Sequence, residues 1–116
     1  MIVLKAKEIP KIIKNGSFIG IDGFVGIGVP EEILLNIEES YLTTGSPNSI
    51  NIIFAAGFGD GKTRGLNRIA HEGLIKKVIG GHWGLAPNLA ILANQNKLEG
   101  YNLPQGVIAQ MFRDMA

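Results

Sequence analysis

Runs of apolar residues along this chain alternate with segments in which apolar residues recur at helical spacing. The continuous runs predict buried strands, because a strand that is covered on both faces shows no polar alternation. Four such strands are predicted, at Ser17 to Asp22, at Ile50 to Ala56, at Val78 to Ile79 and at Tyr101 to Leu103. Strands of this kind are typical of a parallel sheet with helical connections.

Helices are predicted wherever apolar residues recur three or four positions apart. Their apolar faces carry Ile9, Ile12 and Ile13 before a stop at Asn15-Gly16; Ile33, Leu34, Ile37 and Tyr41; Leu66, Ile69, Ala70 and Leu74; Leu85, Leu89, Leu92 and Ala93; and Ile108, Met111, Phe112 and Met115. The second helix begins at Pro30-Glu31-Glu32, where proline and carboxylates suit the first turn, and is closed by Thr44-Gly45-Ser46-Pro47. The order of elements predicts an α/β fold with an open, mainly parallel sheet, helices on both faces and right-handed crossovers.

The last apolar stripe, from Ile108 to Met115, is followed by a single residue, Ala116. A helix with such a stripe needs a surface to bury it against, and four short strands are expected to offer little. We therefore expect the chain to be the front part of a longer protein. Without the rest of that protein, the stripe would be exposed and would favour self-association. A small complete domain with a fraying last helix is the alternative.

Composition narrows the possible functions. The 116 residues make one domain, 1–116, and 46% of them are hydrophobic, which is enough for a core. A net charge of +1 gives no basic field for nucleic acid. Without cysteine, and with His71 and His82 as the two histidines, we expect no metal site made by the protein. The N-terminus lacks the apolar run of a signal peptide and no segment is long enough to cross a bilayer, so a cytoplasmic location is expected.

A glycine-rich turn, Ala56-Gly57-Phe58-Gly59-Asp60-Gly61-Lys62-Thr63, fits the loose spelling of a phosphate loop. Backbone N–H groups would bind phosphate oxygens, Gly61-Lys62-Thr63 would supply the lysine, and Thr63 would hold magnesium. Against this hypothesis, the spelling begins with Ala56, Gly65 lies where the helix must begin, and no later predicted strand ends in an aspartate. A small phosphate- or nucleotide-binding module therefore remains as the alternative function.

A second set of motifs supports a different interpretation. Gly23-Phe24-Val25-Gly26-Ile27-Gly28-Val29-Pro30-Glu31 resembles the N-terminal signature of family I coenzyme A transferases, although the family usually has two glycines where this chain has Asp22-Gly23. Leu103-Pro104-Gln105-Gly106 is similar to the proline-glutamine-glycine step of that family. The segments 55–67 and 80–87 resemble the branch that contains propionate and related short-chain acyl-CoA transferases. The resemblance runs from about Ile9 to the last residue, with the motifs in family order.

The resemblance implies a Rossmann-like half-domain and an enzyme that moves coenzyme A from a short-chain acyl-CoA to a free carboxylic acid. Such enzymes work through a glutamyl-CoA thioester on a glutamate of the C-terminal half, which this chain does not contain. We therefore expect no catalytic residue here and no activity of the chain alone. The implied substrates are coenzyme A thioesters and short-chain acids, with no permanently bound cofactor. The implied partners are the missing C-terminal half or a partner subunit, within a homo-oligomer.

The same resemblance suggests substrate-binding residues. Gln105 matches the family glutamine that donates a hydrogen bond to the substrate carboxylate. The glycines of the two turns would let the backbone come close to a substrate, or they would only permit a tight turn without a ligand. These glycines are Gly23, Gly26, Gly28, Gly57 and Gly59. His82 and Trp83 follow a strand end, where open α/β sheets bind ligands, but a core tryptophan and a hydrogen-bonded histidine are equally compatible with their sequence context. Lys62 and Arg64 are candidates for steering an anionic substrate.

Overall fold

The computed structural model describes all 116 residues. A short 3₁₀ turn, Ala6–Glu8, leads into the first of eight regular elements. In chain order these are α1 (Ile9–Ile12), β1 (Phe18–Gly20), α2 (Glu31–Thr44), β2 (Ile50–Phe54), β3 (Ile75–Gly80), α3 (Pro87–Asn94), β4 (Glu99–Asn102) and α4 (Gln105–Met115). All four predicted strands are present, with β1 and β2 shorter than the apolar runs that predicted them.

The four strands form one sheet in the order β1-β2-β3-β4, and every neighbouring pair is parallel. Ile52 of β2 is the register partner of Ile19 on one side and of Val78 on the other. Because all strands run the same way, their four carboxyl ends lie along one edge of the sheet. Open parallel sheets bind their ligands at this edge.

The main core lies on the face of the sheet that is covered by α2 and α3. Ile52 and Phe54 of β2 are fully buried in one cluster with Leu34 of α2 and Leu89 of α3. The ring of Phe58, just beyond β2, meets Phe54 edge-on with centroids 6.1 Å apart. Burial of β2 on both faces explains why its sequence is continuously apolar.

Helix α4 covers the opposite face, so helices lie on both sides of the sheet as predicted. Ile53, which alternates with its neighbours in β2, is 1% exposed on this face. A Cβ added to Gly20 of β1 would lie 3.0 Å from Cε1 of Phe112, which shows how closely α4 packs on the sheet. Ile108 is fully buried, whereas Met115 is 56% exposed. The expectation that the strands offer this stripe little surface is therefore wrong for Ile108, which is buried, whereas Met111 and Phe112 are half-buried and Met115 is exposed.

The helix predicted from Leu66 to Leu74 is not formed. This connection between β2 and β3 is a series of turns, in which the N–H of Arg68 donates to the carbonyl of Gly65 at 3.1 Å. Gly65 and Gly73 adopt φ values of +66° and +90°, which an α-helix does not contain. Leu66 and Leu74 are nevertheless fully buried. The helical spacing reflected burial in the core, and tertiary contacts outweighed the helical pattern.

The longest helix, α2, has 14 residues. None of the helices combines the length and apolar character needed to cross a membrane.

Candidate functional site

Four glycine-containing segments follow the carboxyl ends of the four strands. They are residues 21–28 after β1, 55–61 after β2, 81–84 after β3 and 103–106 around the start of α4. The parallel sheet therefore gathers every motif on which the family resemblance rests at one edge of the molecule.

The first two segments are joined through their backbones. The N–H of Val25 donates to the carbonyl of Gly57 at 3.0 Å, and the N–H of Gly59 donates to the carbonyl of Val25 at 2.7 Å. Gly23 lies against Phe58, since a Cβ at Gly23 would be 2.9 Å from Cγ of that ring. The first glycine turn thus rests directly on the second.

The tip of the first turn projects into solvent. Phe24 and Ile27 exchange two backbone hydrogen bonds, of 3.0 and 2.8 Å, around Val25 and Gly26. Val25 has a φ of +54°, a conformation that β-branched residues rarely adopt. Phe24 is 62% exposed and Ile27 is 74% exposed. A Cβ on Gly26 or Gly28 would meet open space, although Gly28 needs its φ of +67°.

The second and third segments pack on each other through His82. Gly57 is buried, and a Cβ there would lie 2.5 Å from Nδ1 of His82 and 2.7 Å from its carbonyl oxygen. Gly59 has a φ of +128°, and a Cβ there would lie 2.6 Å from the carbonyl oxygen of Arg64. His82 itself is exposed at the sheet edge. These two glycines are therefore required for packing, whether or not a ligand also approaches them.

Gln105 lies beside the third segment. A Cβ on Gly81 would come within 2.7 Å of Cγ of Gln105 and would overlap the carbonyl oxygen of Ala55. The side-chain amide of Gln105 is exposed and makes no hydrogen bond to the rest of the chain. The structure thus places Gln105 next to the ends of β2 and β3.

Trp83 packs inward from the same segment. Its Nε1 donates to the carbonyl of Gly80 at 3.3 Å, and its ring meets Phe54 edge-on at 6.2 Å. A Cβ on Gly100 of β4 would lie 3.1 Å from the far end of the indole. These contacts give Trp83 a packing role, and substrate binding by it stays a prediction.

Asp60 occupies the backbone groups that a phosphate would need in the second turn. Its Oδ1 accepts hydrogen bonds from the N–H groups of Lys62, Thr63 and Arg64 at 2.8–2.9 Å. These bonds, led by the one from Arg64, lower the pKa of Asp60 to about 2. No helix follows the turn, so no helix N-terminus faces it. The turn therefore carries its own anion, which argues against a phosphate loop.

An ionic network ties α2 to this second turn. Glu31 accepts from the N–H of Gly65 at 2.8 Å and pairs with Nε of Arg68 at 2.7 Å. Glu38, two turns further along α2, pairs with Arg68 at 3.3 Å and with Nε2 of His71 at 2.8 Å. The hydrogen bond and charge of Glu31, together with those of Glu38, raise the pKa of the Arg68 guanidinium. Glu31 is the acidic residue of the first motif, and its role here is to hold the two turns in register.

The sequence analysis did not assign roles to Asp60 and Asn67. Asn67 is 5% exposed; it donates to the carbonyls of Arg64 and Leu85 at 3.2 and 2.8 Å and accepts from the N–H of Asn88 at 3.2 Å. It thus joins the second turn to the start of α3. For Asp60 the sequence held a signal, because aspartate before glycine is typical of a side chain that bonds the following backbone. No sequence pattern marked Asn67.

Comparison with known proteins finds the same protein family along nearly the whole chain. The sequence profile described as coenzyme A transferase matches residues 4–114. Acetate CoA-transferase YdiF of Escherichia coli K12 is 37% identical over 116 residues, and the caffeate CoA-transferase of Acetobacterium woodii is 34% identical over 113 residues. These matches cover 98% and 97% of this chain, but 22% of each relative.

Solved structures agree with the sequence matches. The apoenzyme of the acyl-CoA transferase YdiF from Escherichia coli O157:H7 superposes with a TM-score of 0.87 at 34% identity, over 96% of this chain and 22% of that one. Its thioester complex with CoA gives a TM-score of 0.86 at 34% identity, over 95% of this chain and 22% of that one. The chain therefore spans 22% of the length of the relatives that it matches.

Proposed function

Because the chain belongs to the coenzyme A transferase family, we propose that it is the N-terminal part of an enzyme that transfers coenzyme A from a short-chain acyl-CoA to a free carboxylic acid. The observation that supports this most directly is the meeting of the four motifs at the carboxyl edge of the sheet. Gly57, His82, Gly81 and Gln105 adjoin one another there. Edges of this kind are where α/β sheets bind small ligands.

In this proposal the chain supplies the acid-binding half of the active site. The uncharged amide of Gln105 donates a hydrogen bond to the carboxylate of the acid and holds it without the tight ion pair that a cation would form. Gly57 and Gly81 keep the wall beside it free of side chains, and His82 lies over Gly57. Lys62 and Arg64, both exposed, steer the anionic substrates towards this edge.

The covalent chemistry is assigned to a glutamate outside this chain. Its carboxylate attacks the thioester carbonyl of the acyl-CoA, and the carbon–sulfur bond breaks to give an acyl-glutamyl anhydride and the CoA thiolate. The thiolate then attacks the glutamyl carbonyl, which releases the first acid and forms a glutamyl-CoA thioester. The acceptor acid reverses these two steps. Glu31, the acidic residue of the first motif, is held by Arg68 and Gly65, so we do not assign it as this nucleophile.

The proposed partners follow from this division of labour. The remaining part of the enzyme, whether encoded downstream or as a separate subunit, brings the glutamate to the edge, within a homo-oligomer. Coenzyme A enters as the acyl-CoA thioester and leaves as the thioester of the acceptor acid.

The first test compares the 116-residue chain with the product of the complete reading frame, or with a partner subunit if the frame stops at Ala116. We expect the complete enzyme to convert propionyl-CoA and labelled acetate into labelled acetyl-CoA and propionate, and to form a thioester that hydroxylamine traps on a glutamate. We expect neither activity from the chain alone. A complete enzyme without exchange would contradict the proposal.

The second test examines Gln105 in the complete enzyme. We expect Gln105→Ala to raise KM for the acceptor acid by at least about tenfold, since one charge-assisted hydrogen bond is lost. Gln110→Ala, an exposed glutamine on the same helix, is the control and should leave KM unchanged. Saturable binding of magnesium-ATP to the chain, lost in Lys62→Ala, would instead support the phosphate-loop alternative.

A further inference from the structure

A cleft opens between α4 and the ends of β1 and β2, next to the site proposed above. Its volume is about 560 Å³. It is lined by Gly20, Ile21, Asp22, Ala55, Ala109 and Phe112. All but one of these residues are apolar or glycine, and the exception, Asp22, carries a carboxylate.

We infer that this cleft holds the alkyl chain of the substrate acid and that Asp22 excludes acids with a second carboxylate. The inference rests on the proposed function, because it takes the carboxylate of the acid to be bound by Gln105. It adds the position of the substrate's alkyl chain and the class of acid, namely an unbranched or lightly branched monocarboxylic acid.

The cleft and Gln105 lie on one face of α4. Ala109 and Phe112 follow Gln105 by four and seven residues, so the three side chains lie in one stripe. The helix rises about 10 Å from Gln105 to Phe112, which is the length available to a short alkyl chain. Ala55 belongs to both places, since it lines the cleft and its carbonyl oxygen adjoins Gly81 beside Gln105.

The walls of the cleft suit an alkyl chain and limit its length. Ala55 and Ala109 present methyl groups and leave room between the strand ends and the helix. The ring of Phe112 packs against Gly20 and lines the part of the cleft furthest along α4 from Gln105. Burying an alkyl chain here is favourable because it removes methylene groups from water, and none of the lining side chains can donate a hydrogen bond to a polar terminus.

Asp22 gives the cleft its selectivity. Its Oδ1 accepts a hydrogen bond from the N–H of Gly23 at 2.9 Å, which fixes the carboxylate near the cleft. No lysine or arginine lines the cleft to balance this charge. A second carboxylate at the end of the substrate chain would enter a cleft that already carries one, and the like charges would repel. This position holds aspartate where the resemblance leads us to expect glycine, so the selectivity belongs to this chain rather than to the motif.

The test follows butanoate and butanedioate, which have the same number of carbons, by NMR of the isotope-labelled chain. We expect butanoate to shift the amide signals of Ala55, Gln105 and Ala109 in a saturable manner, and butanedioate to bind at least about tenfold more weakly. Asp22→Asn keeps an acceptor for the Gly23 N–H but removes the charge, so it should reduce this ratio to about threefold or less. Glu39→Gln, the same charge change on exposed α2, should leave the ratio unchanged.

A second variant tests the position of the alkyl chain. Ala109→Leu fills the cleft and should abolish the shifts caused by butanoate, whereas Gln110→Leu, on the adjacent exposed position, should not. In the complete transferase the same variants are compared by the ratio of kcat/KM for the two acids, so the inference can be tested even if the isolated chain unfolds.

The outcomes separate the inference from the proposed function. Equal binding of both acids in the parent chain, or a ratio unchanged by Asp22→Asn, would overturn the inference and leave the transferase proposal standing. Absence of transfer to any acid by the complete enzyme would overturn both.

Discussion

The two glycine turns at the sheet edge differ in how much of their backbone is buried and hydrogen-bonded. In the first turn Phe24 and Ile27 are exposed at the tip, and added methyl groups at Gly26 or Gly28 would meet nothing. In the second turn Phe58 is fully buried and Gly59 is buried too, while Asp60 takes up three successive backbone N–H groups. The turn that most resembles a phosphate loop in sequence is thus the one whose anion site is already filled.

This difference separates two uses of glycine. In the second turn glycine permits close packing, and the turn acts as a rigid support for the first turn through the Val25 and Gly57 bonds. At the tip of the first turn, Gly26 and Gly28 leave the backbone open to whatever occupies the edge, whereas Gly23 packs against Phe58. A glycine-rich spelling alone does not distinguish these uses, whereas the space around each Cβ position does.

The largest effect is expected at Gly59 of the second turn, which combines close contacts with a positive φ. Gly59→Ala places a methyl group 2.6 Å from the carbonyl oxygen of Arg64 at a φ of +128°. We expect the free energy of unfolding to fall by about 3 kcal/mol or more, as strain and overpacking add. Urea unfolding measures this, with Gly26→Ala in the first turn as the matched control, which should change it by less than about 0.5 kcal/mol. Equal effects of the two substitutions would remove the contrast between the turns.

A smaller loss is expected from the bond that ties the second turn to α3. Asn67→Ala leaves the partly buried carbonyl of Leu85 and the N–H of Asn88 without their side-chain partner, which we expect to lower the free energy of unfolding by about 2 kcal/mol. Asn94→Ala, at an exposed position of α3, is the control. A neutral result for Asn67→Ala in thermal or urea unfolding would show that the turn holds its shape without α3.

The ionic link from α2 should contribute less. Glu31→Gln weakens the pair with Arg68 and the bond from the N–H of Gly65, for an expected loss of about 1 kcal/mol because the pair is partly exposed. Glu32→Gln, whose side chain has no partner, is the control in the same unfolding experiment. If the two variants are equally stable, Glu31 does not hold the turns in register.

The most local effect is the titration of Asp60. Its pKa of about 2 lies below the usual 3.8, so the fold favours the carboxylate. The associated stabilisation is complete above about pH 4 and is lost as the pH falls through about 2. NMR should show the Asp60 carboxyl and the amides of Lys62, Thr63 and Arg64 titrating together near pH 2. These amide shifts should disappear in Asp60→Asn, and a midpoint near 4 would contradict the capped turn.

Much of the fold could be predicted from the chain, because local pattern and global fold agree in most segments. The run from Ile50 is buried on both faces as its sequence indicated, and α2 runs from Glu31 to Thr44 and is followed by Gly45, whose φ of +76° is that of a helix cap. The segment 66–74 misled because its apolar residues are spaced for a helix yet are buried by turns. Whether this segment forms a helix or turns is decided only by its tertiary contacts, such as those of Asn67 with the start of α3.

The site was predictable as a location more than as a set of contacts. Parallel strands had to bring Gly23, Gly57, His82 and Gln105 to one edge. Sequence could not show that Trp83 faces Phe54 or that Ala109 leaves a cleft beside Gln105. Each of these depends on side-chain direction, which spacing does not specify.

The sequential strand order has a consequence for synthesis of the chain on the ribosome. Each strand pairs with the strand made just before it, so a newly emerged strand finds its partner already in place and needs no later segment to complete the pairing. The sheet can therefore grow by one strand at a time from β1 to β4. α4, made after the four strands, packs across to Gly20 of β1 and covers their second face.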